Sequence, residues 1–251
     1  MKNFVGQLTA ITNARSIEEV WLLYLERMAD YGFDRLLYGY TRFMGQHNFG
    51  DLRDAVILTN HEQEYIRLFL DEGFYNHGPM IRWAARHTGA CSWGKIERWQ
   101  SEGSLSEKEI EVVEMNRRMG LHAGYTISFE EGNTRCRAAV GLRARTDLNQ
   151  EDVELIWAAS GDEIVLLSNV AHMRITQLPY SEGRKLTERQ REVLQWVADG
   201  KTTQDVACLL GLTQATVEKH LRRAREALDA ENTAQAILKA SVQNQFFTIP
   251  G

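Results

Sequence analysis

The sequence predicts an α+β protein with two domains: an N-terminal α/β/α sandwich with an antiparallel central sheet, and a C-terminal domain of four short helices. Helical and strand patterns alternate through the first part of the 251 residues. Pro, Ser and Gly then interrupt a long helical stretch at 177–185. After that point, capping residues and turns delimit short helices without strands. We therefore expect domains at 1–176 and 186–251, joined by a linker at 177–185.

The elements of the N-terminal domain are predicted from apolar periodicity and from turn residues. Ser16 is the expected N-cap of the first helix, and Ser106 with Glu109 forms a capping box for a later one. Glu-Gly-Asn separates the last two strands, which indicates a hairpin. The predicted helices lie at 16–30, 62–71, 79–86, 106–119 and 149–173, and the predicted strands at 35–41, 55–58, 124–130 and 137–145.

Two apolar stripes run along the predicted helix at 149–173. The first contains Val153, Ile156, Trp157, Ile164 and Leu167, and the second contains Leu155, Ala159, Leu166 and Val170. A surface helix needs one stripe to cover a core. The second stripe either faces a partner subunit or covers more of the core, and we favour a homodimer.

Composition limits the class of protein. No apolar run approaches the roughly 20 residues that span a membrane, and the N-terminus lacks a secretory signal pattern. Cys91, Cys136 and Cys208 have neither paired nor metal-ligand spacing, as expected of reduced thiols. We therefore expect a cytoplasmic protein without membrane association, bound metal or cofactor.

The formal net charge of −5 is unevenly distributed. Residues from Arg174 onward carry 11 Lys and Arg against 9 Asp and Glu, and the preceding residues carry 18 against 25. Salt screens charges beyond roughly 8–10 Å, so an acidic N-terminal domain leaves a basic surface elsewhere free to bind a polyanion. A homodimer would double the number of phosphate contacts.

The C-terminal helices are predicted from their caps. The expected N-caps are Thr187, Thr202 or Thr203, Thr213, and Asn232 or Thr233. Gly200 and Gly211 are expected to end the first two helices. The second helix is expected to turn Val206, Ala207, Leu209 and Leu210 inward. Because the turn at 211–213 is short, the second and third helices must cross steeply, as they do in a helix-turn-helix.

The third of these helices, at about 214–228, has an apolar stripe and a cationic face. Such a helix enters the DNA major groove, where its early residues reach base edges and flanking cations contact phosphates. The expected base-facing residues are Gln214, Ala215, Glu218, Lys219 and Arg222. The expected contacts to the DNA backbone are Thr202, Thr203, Thr213, Thr216 and Arg223. A cationic helix face alone is usually just solvated, but its combination with ordered caps and a short turn favours DNA binding.

This segment resembles the LuxR-type (GerE-like) helix-turn-helix domain. The pattern LTxRxxEVLxWxAxGK matches Leu186–Lys201, and TVxxHLxxAxxxL matches Thr216–Leu228. The resemblance implies a four-helix domain that binds double-stranded DNA at a palindromic operator. Glu218 stands where that family commonly has Lys. A carboxylate accepts from cytosine and repels phosphate, so we expect a different operator preference.

Aromatic residues are concentrated in the middle of the N-terminal domain: Tyr65, Phe69, Phe74, Tyr75, Trp83, Trp93 and Trp99. Aromatic residues fill a core more often than they line a ligand cavity. The region nevertheless resembles the autoinducer-binding domain of LuxR-type receptors, which shows W-x3-Y-x8-D-P and a Trp fourteen residues after the Pro. Pro79, Trp93, Gly120 and Gly124 match that family. Tyr65, Phe69 and Gly78 stand at the three remaining positions.

The resemblance implies how an N-acyl homoserine lactone is held between the sheet and the helices. In the family, the Trp donates to the lactone carbonyl, the Tyr hydroxyl bonds the acyl carbonyl, and the Asp accepts from the amide N–H. Phe69 lacks the hydroxyl and Gly78 lacks the acceptor, whereas Tyr65 can still donate. Two lost hydrogen bonds correspond to about two orders of magnitude in affinity. Thr126 and Asn116 are the nearby polar candidates for compensation.

The complete predicted ligand-binding set is Tyr65, Phe69, Gly78, Trp93, Thr126, Ile57, Ile81 and Val112. We therefore hypothesise a DNA-binding regulator of the LuxR type whose pocket departs from lactone recognition. It senses another apolar or aromatic small molecule, or it acts without a ligand. The alternative is a lactone receptor with altered polar contacts.

Two other classes of protein fit less well. An enzyme needs a nucleophile with a base or clustered metal ligands, and no such signature surrounds the cysteines. His61 and His77 lie within reach of the predicted pocket, but lone histidines are more often solvated or hydrogen-bonded than functional. A phosphorylation-driven response regulator shares the DNA-binding module. However, Asp51 and Asp54 do not follow an apolar strand, and the alternating pattern of a parallel sheet is absent.

Overall fold

The computed structural model describes residues 4–42, 52, 55–133, 135–180 and 186–246. The chain divides into two compact units, Met1–Ile175 and Thr176–Gly251. Asp51 and Asp54 lie outside the described residues, as do residues 181–185 of the predicted linker. Within the described ranges, no helix is long and apolar enough to cross a membrane.

The first unit consists of helices on both sides of one sheet. Its helices are α1 (Phe4–Asn13), α2 (Ile17–Asp30), α3 (Gln63–Ile66), α4 (Pro79–Ala84), α5 (Gly94–Ser101), α6 (Glu107–Arg118) and α7 (Gln150–Gln177, which runs past the end of the unit). A π-helical turn, Arg67–Asp71, continues α3, and a 3-10 turn, Phe74–His77, precedes α4. The strands are β1 (Phe33–Thr41), β2 (Val56–Thr59), β3 (Gly89–Ser92), β4 (Gly124–Ser128) and β5 (Arg137–Ala144).

The five strands form one antiparallel sheet in the order β2-β1-β5-β4-β3. This confirms the predicted α+β class with an antiparallel central sheet, and it excludes the parallel sheet of a phosphorylation-driven receiver. The sequence patterns predict neither α1, α5 nor β3. The strand β3 reads Gly-Ala-Cys-Ser, which has little intrinsic β-propensity. Its pairing with β4, in which Cys91 lies opposite Thr126, holds it in the sheet.

The long helix α7 covers one face of the sheet. The Tyr125 ring of β4 stacks on Trp157 of α7 with centroids 3.7 Å apart. Tyr38 of β1 shares a hydrogen bond of 2.9 Å with Nδ1 of His172. On the same side, Tyr24 of α2 bonds Ser168 at 2.7 Å. These side chains fix α2 and α7 against the sheet and leave its opposite face to α3–α6.

The two apolar stripes of α7 have different surroundings. In the first stripe, Val153, Ile164 and Leu167 are fully buried, and Ile156 and Trp157 are half-buried. In the second, Leu155 is 72% exposed, Leu166 is 45% exposed and Ala159 is exposed. Val170, the fourth residue of this stripe, is half-buried, so the exposed part of the second stripe runs from Leu155 to Leu166.

The second unit contains α8 (Glu188–Ala198), α9 (Thr203–Leu210), α10 (Gln214–Ala227) and α11 (Thr233–Val242). Thr187, Thr202, Thr213 and Asn232 cap them, as the sequence predicts. Gly211 ends α9 in the left-handed conformation, with φ of 63°. The inward orientation predicted for Leu209 is wrong, since its side chain is 53% exposed. Leu209 lies beyond the stripe in which Val206 and Ala207 meet the core.

Candidate ligand cavity and DNA-binding surface

A cavity of about 200 Å³ lies on the sheet face opposite α7. Small residues on the central strands create this space, because Gly39, Ala139 and Gly141 all line it. A Cβ added at Gly39 would meet no atom within 4 Å. The described residues that line the cavity from the predicted set are Ile57, Tyr65, Phe69, Gly78, Ile81, Trp93 and Thr126. We call this space the ligand cavity.

Val112 does not line the ligand cavity, contrary to the sequence prediction. It is 1% exposed and packs in a core cluster with Tyr65, Phe69, Met115 and Leu121. The next residue, Val113, faces the cavity instead. Adjacent residues of a helix point about 100° apart, so an error of one position is enough to turn a side chain away.

Three rings form a stack along one wall of the ligand cavity. The His61 and Tyr65 rings have centroids 4.5 Å apart, and the Tyr65 and Phe69 rings are 5.2 Å apart. The four-residue spacing places these side chains above one another on one side of the helical segment. Burial raises the pKa of the Tyr65 phenol well above its ordinary value. Tyr65 is therefore a neutral hydroxyl group at physiological pH.

Trp93 uses its indole donor within the protein. Its Nε1–H donates to Oγ1 of Thr126 at 2.9 Å. Gly124 is required beside it, because an added Cβ would lie 2.9 Å from the Trp93 ring and 2.2 Å from the Leu142 carbonyl oxygen. A ligand that accepts from Trp93 must therefore replace Thr126. The Thr126 hydroxyl hydrogen remains free to donate, since its oxygen is the acceptor in this bond.

Gly78 forms the N-cap of α4 with φ of −69° and ψ of 122°. This is ordinary extended backbone, so the position does not require glycine for its conformation. An added Cβ would approach Cγ1 of Ile81 to 3.0 Å. Space rather than backbone strain therefore restricts this position, and a small shift of the Ile81 side chain would make room.

Two polar groups of the ligand cavity lack partners among the described residues. Nδ1 of His61 and Oδ1 of Asn116 are both buried without a hydrogen bond, and both residues line the cavity. A lone histidine is usually either solvated or hydrogen-bonded, and His61 is not solvated, because it is 8% exposed. Burial, followed by the positive charges of Arg143 and Arg35, lowers the pKa of His61 to about 4 against an opposing effect of Glu62. The spacing of four residues between His61 and Tyr65 is the feature of the sequence that could have placed His61 beside the cavity.

The predicted DNA-contacting residues form a surface at α9 and α10, which we call the α9–α10 surface. All ten are exposed or half-buried: Thr202, Thr203, Thr213, Gln214, Ala215, Thr216, Glu218, Lys219, Arg222 and Arg223. Nε2 of Gln214 donates to Oγ1 of Thr203 at 3.1 Å and links the two helices. The Thr202 hydroxyl donates to Asp205 at 2.6 Å, so this side chain is already used in capping α9.

The cationic side chains of α10 are only weakly engaged within the protein. Nε of Arg222 lies 4.0 Å from Glu226, and both side chains are more than 60% exposed, at 63% and 64%. A surface pair of this kind contributes little to stability. Partial burial, then the charges of Arg189, Arg223 and Lys219, lowers the pKa of His220 and keeps it neutral beside these cations. In the described part of the chain, no group of three or more His, Cys, Asp or Glu side chains is arranged to hold a metal ion.

Comparison with known families identifies both units. Residues 16–175 match the family model of the autoinducer binding domain, and residues 184–240 match that of the bacterial regulatory proteins of the luxR family. These matches define a DNA-binding transcription regulator with a signal-binding domain. The chain belongs to the LuxR-type family of regulators that carry an autoinducer-binding domain.

Relatives and solved structures agree with this assignment. RpaR of Rhodopseudomonas palustris, a quorum sensing-dependent transcriptional regulator, is 28% identical over 195 residues, which cover 75% of this chain and 74% of that protein. The transcriptional activator AnoR of Acinetobacter nosocomialis is 22% identical over 238 residues, which cover 93% of this chain and 94% of AnoR. The crystal structure of Escherichia coli SdiA has a TM-score of 0.52 at 18% identity and covers 98% of both chains. The last comparison supports the fold alone.

We expect His61 to make the stability of the protein depend on pH. The unfolded imidazole protonates near pH 6.5, whereas the folded one does so near pH 4. Stability is therefore full above pH 6.5 and is lost as the pH falls from there toward 4. The free energy of unfolding should decrease by about 2 kcal/mol between pH 7 and pH 5 because of this residue.

Urea unfolding of His61→Phe, which retains a ring against Tyr65, should lack this part of the pH dependence. His77→Gln changes an exposed histidine of the same unit and should keep the slope of the unchanged protein. Equal slopes for His61→Phe and the unchanged protein would contradict the prediction.

Proposed function

We propose that this chain is a non-enzymatic, homodimeric transcription regulator that binds a palindromic operator through α10. Its ligand cavity senses an apolar or aromatic small molecule other than an ordinary acyl-homoserine lactone. The observation that carries the ligand proposal is the altered polar set of the cavity, with Phe69 and Gly78 at two family positions. A regulator of this kind acts where the DNA is, which supports the expected cytoplasmic location.

Three features support a departure from lactone recognition. Phe69 has no hydroxyl for an acyl carbonyl, and Gly78 has no carboxylate for an amide N–H. The Trp93 indole already donates to Thr126. A lactone amide N–H would lose the carboxylate acceptor that the family has at the position of Gly78, and with it that hydrogen bond. The described lining is otherwise mostly apolar, as a ligand with a large hydrophobic portion requires.

The second candidate is a lactone receptor with altered polar contacts. The hydroxyl of Tyr65 and the hydroxyl hydrogen of Thr126 favour this candidate, because both groups face the cavity and can donate to a carbonyl oxygen. The two candidates differ in whether the unchanged cavity holds a lactone tightly.

Lactone binding should increase when the missing polar groups are restored. We expect Phe69→Tyr/Gly78→Asp to bind acyl-homoserine lactones at least about tenfold more tightly than the unchanged protein, because two hydrogen bonds are regained. Melting temperatures measured against a series of lactone chain lengths give the affinities.

Gly78→Ala is the control for this pair, since it introduces the close contact with Ile81 without a carboxylate. It should not strengthen lactone binding. Strong, concentration-dependent stabilisation of the unchanged protein by a lactone would favour the second candidate. No gain in the double variant would mean that these two positions do not contact the lactone.

DNA binding should depend on the exposed cations of α10. Lys219→Gln/Arg222→Gln should reduce the magnitude of the slope of log K against log salt by about two for each protomer. Without these two cations, the protein neutralises two phosphates fewer, and binding therefore releases fewer counterions. Gel-shift titrations at several salt concentrations, with duplexes selected from a random-sequence pool, measure this slope.

Lys108→Gln/Arg118→Gln makes the same change of charge on exposed residues of α6. This control should keep the salt slope of the unchanged protein. If both double variants have the same slope as the unchanged protein, α10 does not contact the DNA.

The second apolar stripe of α7 supports the homodimer. Leu155 and Leu166 are exposed in the single chain, whereas the first stripe covers the core. Leu155→Glu/Leu166→Glu should weaken self-association at least tenfold, because a buried unpaired charge costs far more than an exposed one. Light-scattering masses over a range of concentrations measure this.

Leu209→Glu adds a charge at a comparably exposed leucine of the second unit, 53% against 45% for Leu166. We expect this control to remain dimeric. A monomeric mass for the unchanged protein at micromolar concentration, with and without DNA, would contradict the homodimer.

A further inference from the structure

His61 lines the ligand cavity, and its ring contains one buried nitrogen without a partner among the described residues. His61 precedes α3 and is 8% exposed. Its backbone N–H donates to Oγ1 of Thr59 at 3.1 Å, and its ring stacks on Tyr65. These contacts fix the ring, yet Nδ1 has no hydrogen-bond partner among the described residues. A fixed, buried and unpaired nitrogen is a group that a ligand can satisfy.

Asn116 also lines the ligand cavity, and its side chain contains a second unpaired atom. Its backbone oxygen accepts from the N–H of Leu121 at 2.8 Å and of Met119 at 3.1 Å. The end of α6 thus holds the residue in place. Oδ1 of Asn116 is nevertheless buried without a partner in the described part of the chain. An apolar side chain would fill this position at lower cost, so the amide calls for a functional explanation.

Both groups are uncharged near neutral pH. Burial lowers the pKa of His61 to about 4, and an amide does not titrate. Among the described lining residues, the charged side chains are Glu97 and Arg117, which have opposite signs and are exposed. The charges of the two side chains cancel, so the described lining gives a charged ligand no excess of opposite charge to offset its lost hydration.

We infer that His61 and Asn116 form a polar subsite that binds the hydroxyl group or groups of an uncharged, largely apolar ligand. A hydroxyl donates to Oδ1 of Asn116, and it can either donate to or accept from Nδ1 of His61. A ligand that only accepts hydrogen bonds cannot satisfy Oδ1. This inference rests on the proposed ligand-sensing function and names the chemical class that the ligand cavity selects.

The test uses two probes of nearly equal shape, 4-butylphenol and 4-butyltoluene, with the full-length protein. Titration calorimetry should show that Asn116→Leu weakens the phenol about tenfold and changes the toluene less than twofold. His61→Phe should have the same selective effect. Comparing each probe between the unchanged protein and the variant removes the difference in hydration between the probes.

The melting temperature of the ligand-free variants gives a second readout. Asn116→Leu and His61→Phe should melt at or above the temperature of the unchanged protein at pH 7, because each replaces an unpaired buried polar group by an apolar one. A purely structural role for Asn116 predicts a lower melting temperature, and that result would overturn the inference. Gly39→Val should abolish binding of both probes by filling the open space above Gly39.

The remaining outcomes separate this inference from the function on which it rests. If the unchanged protein binds both probes and Asn116→Leu affects them equally, the hydroxyl subsite is overturned and the ligand cavity remains a binding site. If Gly39→Val leaves binding of the phenol intact, the probe binds elsewhere and the inference is overturned. If neither probe binds the unchanged protein, the subsite and the proposed sensing of apolar ligands are both overturned.

Discussion

The alternation of side chains across the central sheet is the constraint on which the first unit depends. Tyr125 and Thr126 are neighbours on β4 and point to opposite faces. Tyr125 stacks on Trp157 of α7, whereas Thr126 accepts from Trp93 in the ligand cavity. On β5, which pairs with β4, Leu142 lies opposite Tyr125 and Gly141 lies opposite Thr126. A shift of one residue in this register would exchange the core face and the cavity face.

The two faces of the sheet are filled in different ways. Large side chains such as Tyr38, Val140 and Leu142 are buried on the α7 face. On the other face, Gly39, Ala139 and Gly141 leave space that aromatic residues border but do not fill. Empty volume and unpaired polar atoms both reduce stability. A ligand that fills the space and pairs with His61 and Asn116 would offset this loss, so occupancy of the cavity would raise the stability of the unit.

The second unit is built mainly from local interactions. Each of its four helices begins at a side chain that accepts from a backbone N–H three residues later, as Thr187 does from Gln190. These caps fix where the helices begin, and Gly211 ends α9. The polar face of α10 remains exposed. The excess of positive charge after Arg174 is small. Two copies of α10 on one duplex would therefore give a much stronger electrostatic contribution than a single copy.

The sequence alone determined the α+β class, the helix caps of the second unit and the cationic face of α10. These features depend on residues two to four positions apart, so a single segment contains their physical cause. The Trp93–Thr126 hydrogen bond, the burial of His61 and the position of Val112 behind the cavity wall required the tertiary structure. Each of them depends on contacts between segments far apart in the chain. For the same reason, the proposed polar subsite of His61 and Asn116 depends on how the segments before α3 and at the end of α6 pack beside the cavity, and no local pattern predicts it.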